Sequence, residues 1–234
     1  MLDWMLDRGA EITRTDESRR TARGRHRMKG GGKDHSLEVL NRAAAEGNVK
    51  MFEHLVHRGA EPSRSLALHR VSECNDTAKM IVMVDCLLDQ YHFDIEADNR
   101  QFLKTGPRPD FGTPLHVAIY NKNIDAVRHL LKRGADPESG IRIAIGSNII
   151  IREGWLPGLE ALLDAGANVD HAFNQAVKFA KVEAAKTCLN RGTVSSVAIQ
   201  LARTTPISAG SHRRFVDERA KMETFLESIR ESPR

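Results

Sequence analysis

Apolar residues recur along this chain in short helical runs, and the runs come in pairs. The clearest pair lies between Asp110 and Ser139. Leu115, Val117, Ala118 and Ile119 form one apolar face; Asn121-Lys122-Asn123 breaks it; Ile124, Val127, Leu130 and Leu131 form the next. This spacing predicts a short helix, a tight turn and a second helix. Thr113 can cap the first helix and Pro114 suits its first turn. The glycine of Gly134-Ala135 supplies the positive φ that often ends a helix.

The same pattern returns elsewhere. An offset of 75 residues places Leu40 on Leu115, Ala43 on Ala118, Asn48 on Asn123 and Gly59 on Gly134. An offset of 58 places Ala118 on Ala176, Leu131 on Leu189 and Gly134 on Gly192. An offset of 32 places Val127 on Leu159 and Gly134 on Gly166. Several apolar matches at one offset mark internal repeats. Copies are expected at 37–62, 65–98, 110–139, 140–170 and 172–193, with a seventh beginning at Ser195.

The copies are unequal. The first, Leu2 to Ala10, holds only the second helix and its turn, so the chain reads as a segment of a longer array or an eroded start. The third copy carries four extra residues, expected to lengthen its helical turn, and Gln90-Tyr91-His92-Phe93-Asp94 stands where others have glycine. The fifth has six extra residues around Ile150 to Gly154. After a Pro/Gly/Ser loop, a long last helix carries Met222, Phe225, Leu226 and Ile229 on one face and charge on the others, as the end of a stacked array requires.

These patterns predict an all-α solenoid of about six to seven helix-turn-helix units, the first incomplete. The expected parts are a partial repeat at 1–12, a basic flexible insert at 13–34, a repeat array at 35–203, and a loop with a capping helix at 204–234. Each helix pair is too small to fold alone; stacking buries one continuous core. Alanines on the first helices (Ala43, Ala44, Ala118, Ala144, Ala176) allow close approach. Aromatics make up only 5% of the chain, so that core must be aliphatic.

Gly112-Thr113-Pro114-Leu115-His116, followed by Leu130-Leu131-Lys132-Arg133-Gly134-Ala135-Asp136-Pro137, resembles the signature of the ankyrin repeat. The second, fifth and sixth copies keep its Ala, Leu-Leu and Gly positions; the third and seventh are looser. The resemblance spans roughly residues 1–12 and 35–230. It implies that Thr113, Pro114, Leu115, His116 and Gly134 build the unit, with His116 hydrogen-bonding neighbouring turns. It also implies protein partners, bound on the concave side by turn tips and the exposed face of the first helices.

Charge singles out one segment. Between Arg14 and Lys33 eight basic residues face only Asp16 and Glu17, a net +6, whereas the whole chain carries +4. The repeats are therefore close to neutral. The insert's Arg19, Arg20, Arg23, Arg25 and Arg27 form a basic patch, and its composition cannot bury enough surface to fold. Clustered arginines could bind nucleic acid or an acidic surface, although no aromatics interleave them to stack on bases. A solvated loop is the simpler reading.

No motif carries catalysis. GxSxG, HExxH, GxxxxGK[ST] and GxGxxG are absent. Gly30-Gly31-Gly32-Lys33 lacks the Ser or Thr and the preceding strand of a phosphate loop. His54 and His57 share a helix face but have no third ligand nearby. Cys74, Cys86 and Cys188 are scattered, which suggests structural thiols in a reducing, intracellular compartment, cytoplasmic or nuclear. No apolar run is long enough to span a membrane.

The expected role is a non-catalytic protein-interaction module or scaffold without cofactor or metal, a monomer or part of a longer chain. The candidate partner-binding residues are Tyr120 and Asn121, their equivalents Glu46, Lys178 and Phe179, and the turn tips Asp110 and Glu138. Nucleic-acid or acidic-surface binding through residues 14–33 is one alternative. An enzyme using a pocket on the repeat scaffold is another.

Overall fold

The computed structural model describes residues 37–102, 112–142, 150–151, 154–204 and 213–231. Twelve helices and no β-strand occur among them. The partial repeat at 1–12, the basic insert, Asp110 and the loop at 205–212 lie outside the described residues. The chain forms two compact units, Met1–Ala135 and Asp136–Arg234. The boundary falls directly after the Gly134-Ala135 turn.

The first unit holds three helix pairs: α1 (Glu38–Ala45) with α2 (Val49–His57), α3 (Ala67–Arg70) with α4 (Thr77–Asp89), and α5 (Pro114–Tyr120) with α6 (Ile124–Lys132). A 3-10 turn, Val71–Glu73, extends α3. First helices pack on first helices, α1 against α3 and α3 against α5. Second helices do likewise, α2 against α4 and α4 against α6. Leu40, Phe52, Leu68, Met83, Leu115 and Leu130 are fully buried between them, each contributing about 2 kcal/mol of apolar transfer. Ala43, Ala44 and Ala118 are buried too, so the first helices stack at close range.

Short polar side chains start these helices. Asn48 accepts the Met51 N–H, Asp76 that of Lys79 and Asn123 that of Ala126, each from the N-cap position. Thr113 caps α5 through the His116 N–H, and Pro114 occupies its first turn. The four extra residues of the third copy lie in α4, thirteen residues against nine in α2 and α6, rather than in the turn before it. The turn stays short because the Cys74–Asp76 segment must meet Asn123, whose amide donates to the Ser72 and Cys74 carbonyls.

The second unit contains α7 (Pro137–Arg142), α8 (Leu156–Asp164), α9 (Val169–Lys178), α10 (Val182–Arg191), α11 (Ser196–Thr204) and α12 (Arg213–Glu231). α9 packs against α10 and α11, α8 against α10, and α12 against α10. Phe173, Ala176, Val177 and Cys188 are buried here. Burial pushes the Cys188 thiol up to about 12, so it packs as a small apolar group. The three cysteines are free and buried.

Side chain-to-backbone bonds join successive copies. The Asn41 side chain on α1 accepts the N–H of Leu66, the residue that starts α3, at 2.7 Å. In the second unit Glu138 accepts the N–H of Asn168, which starts α9. Asp170 accepts that of Ser195 at 2.7 Å, just before α11. His69 on α3 uses the same position to reach carbonyls instead: its Nε2–H is shared between Ala97 O at 3.0 Å and Gly112 O at 3.2 Å. His69 is 4% exposed. Burial lowers its pKa to about 4, so it stays neutral. His116, its equivalent on α5, is buried with its ring against Gly112, where a Cβ would lie 2.3 Å from Nδ1.

Two outer ion networks repeat as well. Arg133 at the end of α6 reaches back to Asp85 and Asp89 on α4, and Arg191 at the end of α10 reaches Glu160 and Asp164 on α8. The arginines are 58 residues apart, the repeat offset, and each carboxylate pair is spaced i,i+4. Hydrogen bonding to Arg133 holds the Asp89 carboxyl below the usual carboxylate range.

Gly47 and Gly59 both have positive φ, +64° and +97°, but differ in surroundings. A Cβ on Gly47 would lie 2.7 Å from Lys79 Cβ and 2.9 Å from Cys74 Sγ; one on Gly59 meets nothing. Gly59→Ala is therefore expected to cost about 1–2 kcal/mol, the left-handed penalty alone, and Gly47→Ala measurably more, as read by urea denaturation.

His69 sets a pH dependence. Its folded pKa lies below the ordinary 6.5, so between pH 6.5 and 4 the unfolded chain binds a proton that the native chain does not. Stability is lost as pH falls through that window, by on the order of 3 kcal/mol. Denaturation at pH 7 and 4.5 should show a smaller decline for His69→Gln than for the native chain.

Candidate functional site

The ends of the first helices present the residues that sequence comparison singled out. Tyr120 closes α5 and is 41% exposed, one of few large apolar side chains left open to solvent. Its equivalents in the two preceding copies are Ala45 and Glu73. Beside these lie two exposed ion pairs on the same helix faces, Arg42–Glu46 and Arg70–Glu73, both at 2.6 Å. The face in the first unit is thus one aromatic side chain next to two neutralised charge pairs. Such exposed pairs add little stability, about 0–1 kcal/mol each.

Asn121 is exposed but partly engaged: its amide donates to the Ser72 hydroxyl at 2.9 Å, tying α5 to the preceding copy. Glu46 caps the C-terminus of α1 and pairs with Arg42.

In the second unit, Lys178 is exposed at the end of α9, with its ammonium 5.8 Å from the centroid of Phe179. Phe179 is half-buried, so part of its ring serves packing. Glu138 is mostly inside the fold. Its carboxylate accepts the Asn168 N–H and lies 3.5 Å from His171 Nδ1. Sequence reasoning placed it at a turn tip; the structure makes it an inter-repeat tie. The basic-patch arginines Arg19, Arg20, Arg23, Arg25 and Arg27, like Asp110, lie outside the described residues.

Among the described residues no group of three His, Cys, Asp or Glu is placed to hold a metal ion. His57 is exposed and bonds the Glu53 carbonyl within its own helix. His129 meets Asp85 at 2.8 Å, but that carboxylate is shared with Arg133, which makes the contact part of the α4–α6 ion network. No helix among the described residues is long and apolar enough to cross a membrane.

Sequence reasoning did not find His69. The signal was present: an offset of 47 places Leu68-His69 on Leu115-His116. The third copy lacks the preceding Thr-Pro, having Leu66-Ala67, and that loss hid the match. Asn41 occupies the same slot in the second copy and was hidden by its different side chain.

Helix pairs of this length, joined at their starts by side chain-to-backbone bonds and ended by left-handed glycines, agree with what sequence comparison finds. Residues 40–140 match a family model described as ankyrin repeats, in three copies. No curated protein matches the chain. Ankyrin repeats are generally protein-protein interaction modules and typically non-catalytic. The match begins within α1, runs through the three helix pairs of the first unit and continues into α7, so residues 40–140 of this chain carry three ankyrin repeats.

Proposed function

We propose that this protein is a non-catalytic interaction module that binds a protein partner through the exposed ends of its first helices. The observation that carries this reading is Tyr120: an aromatic residue, 41% exposed, at a position where packing leaves the side chain free. Aromatic residues are the commonest anchors of protein interfaces, because they bury a large area at low entropic cost. Arg42, Glu46, Arg70 and Glu73 form the polar surround in the first unit. Lys178 and Phe179 offer an aromatic-and-cation pair at the matching position of the second unit.

The ties between copies support a binding role over a catalytic one. Polar side chains with strong geometry here, such as Asn41, His69, Glu138 and Asp170, are spent on backbone groups of the next copy. They keep the scaffold rigid, which lowers the ordering cost of binding.

The test is quantitative affinity capture from the native cells with the full chain as bait, comparing it with Tyr120→Ala, Phe179→Ala and the double variant. Circular dichroism establishes that each variant keeps its helix content. A partner that uses these faces should be recovered at least about ten-fold less by the double variant, since an interface anchor is worth ~2 kcal/mol or more. Recovery unchanged by all three variants removes these faces as the binding surface.

A further inference from the structure

The third copy departs from its neighbours at one place. After α2 and α6 the chain turns through Arg58-Gly59-Ala60 and Arg133-Gly134-Ala135, and each alanine N–H returns to a leucine carbonyl, Leu55 or Leu130. After α4 the equivalent bond runs from the Phe93 N–H to Leu87 O at 3.0 Å. Phe93 therefore stands where the other copies bury an alanine, and it remains half-exposed. His92 takes the left-handed place of the glycine, with φ 53°. A non-glycine residue held there is strained, and such strain collects at binding sites.

A cavity of about 230 Å³ lies beside this turn, within the first unit. It is lined by the aromatic residues Tyr91, Phe93 and Phe102 together with Asp94, Ser63 and His69. Tyr91 is braced edge-on against the buried Phe52, ring centroids 5.1 Å apart. The size decides between classes of occupant. Small-molecule sites commonly occupy ~300–1,000 Å³, whereas this space is about 230 Å³. It suits one side chain.

The lining also has a sign. Among the described residues no lysine or arginine lines the cavity. The Asp94 carboxylate accepts the Glu96 backbone N–H at 2.9 Å, and no cation among the described residues pairs with it. Nearby Arg70 and Arg100 are already paired, with Glu73 and Asp98. His69 is neutral and its Nε2–H is committed to two carbonyls, which leaves its other ring nitrogen an acceptor. Aromatic faces, a carboxylate and acceptors without a donor cation are what a guanidinium needs: it is planar, stacks on rings and carries five donors and no acceptor.

We infer that the cavity walled by Tyr91, Phe93, Asp94 and Phe102 is a subsite for an arginine side chain of the protein partner. The inference rests on the protein-binding reading above but concerns a different surface, so the two fail separately.

The probe is acetyl-Gly-Arg-Gly-amide, titrated at millimolar concentration into the isotopically labelled full chain and followed by NMR. Shifts are expected in the amides of Tyr91, Phe93, Asp94 and Ala97. The peptide with citrulline in place of arginine, isosteric but uncharged, should not cause them. Asp94 is exposed, so Asp94→Asn should leave the fold intact and weaken arginine-peptide binding about five-fold.

The inference is overturned if the arginine peptide moves none of these amides, if citrulline is equivalent, or if Asp94→Asn has no effect. It is also overturned if deletion of residues 14–33 raises the peptide's affinity, because the chain's own arginines would then be the occupant. Loss of the subsite with Tyr120-dependent capture intact leaves the broader reading standing; the converse removes that reading and keeps the arginine site.

Discussion

A polar side chain on one first helix holding the backbone at the start of the next is the bond on which this structure depends. Asn41 holds the Leu66 N–H, Glu138 that of Asn168 and Asp170 that of Ser195. Helix starts leave N–H groups without intrahelical partners, and burying one unpaired is costly. Each tie satisfies such a group and fixes the register between copies. Apolar packing could not do this alone, since a stripe of Ala and Leu tolerates sliding. His69 extends the principle by donating to carbonyls of the following segment, Ala97 and Gly112.

The outer helices use a second device of the same period. Arg133 and Arg191 each bridge back to an i,i+4 carboxylate pair on the preceding second helix. These are exposed contacts, and their individual contributions are small. Their value lies in geometry: one guanidinium spanning two carboxylates restrains the angle between adjacent second helices. Tyr120, the Arg42–Glu46 pair and the aromatic turn of the third copy take no part in these ties and bridges.

Departure from the repeat carries more functional information than agreement with it. Thr113, Pro114, Leu115, His116 and Gly134 are the best-matched residues and are structural in place: cap, first turn, core, core and left-handed turn. The third copy matches poorly: its turn carries Tyr91, His92 and Phe93 where the neighbouring copies have glycine and alanine. The same copy has the longer α4 and the aromatic cavity.

Much of the fold was legible in order along the chain. Helical spacing of Leu, Val and Ala, the cap at Thr113, and glycines at a fixed offset depend only on local backbone preference. They determined helix pairs and their turns. Which polar residues face a partner and which face the next copy was settled only in three dimensions. Glu138 and Tyr120 look equally exposed in sequence. The carboxylate turns inward because an unpaired N–H at the start of α9 lies within its reach, while the ring of Tyr120 meets no such demand. His69 and Asn41 share a role that no common side chain reveals, since what unites them is their distance to the next helix start. Local preference is written in neighbouring residues; the choice between tie and surface depends on groups roughly twenty-five to forty positions away.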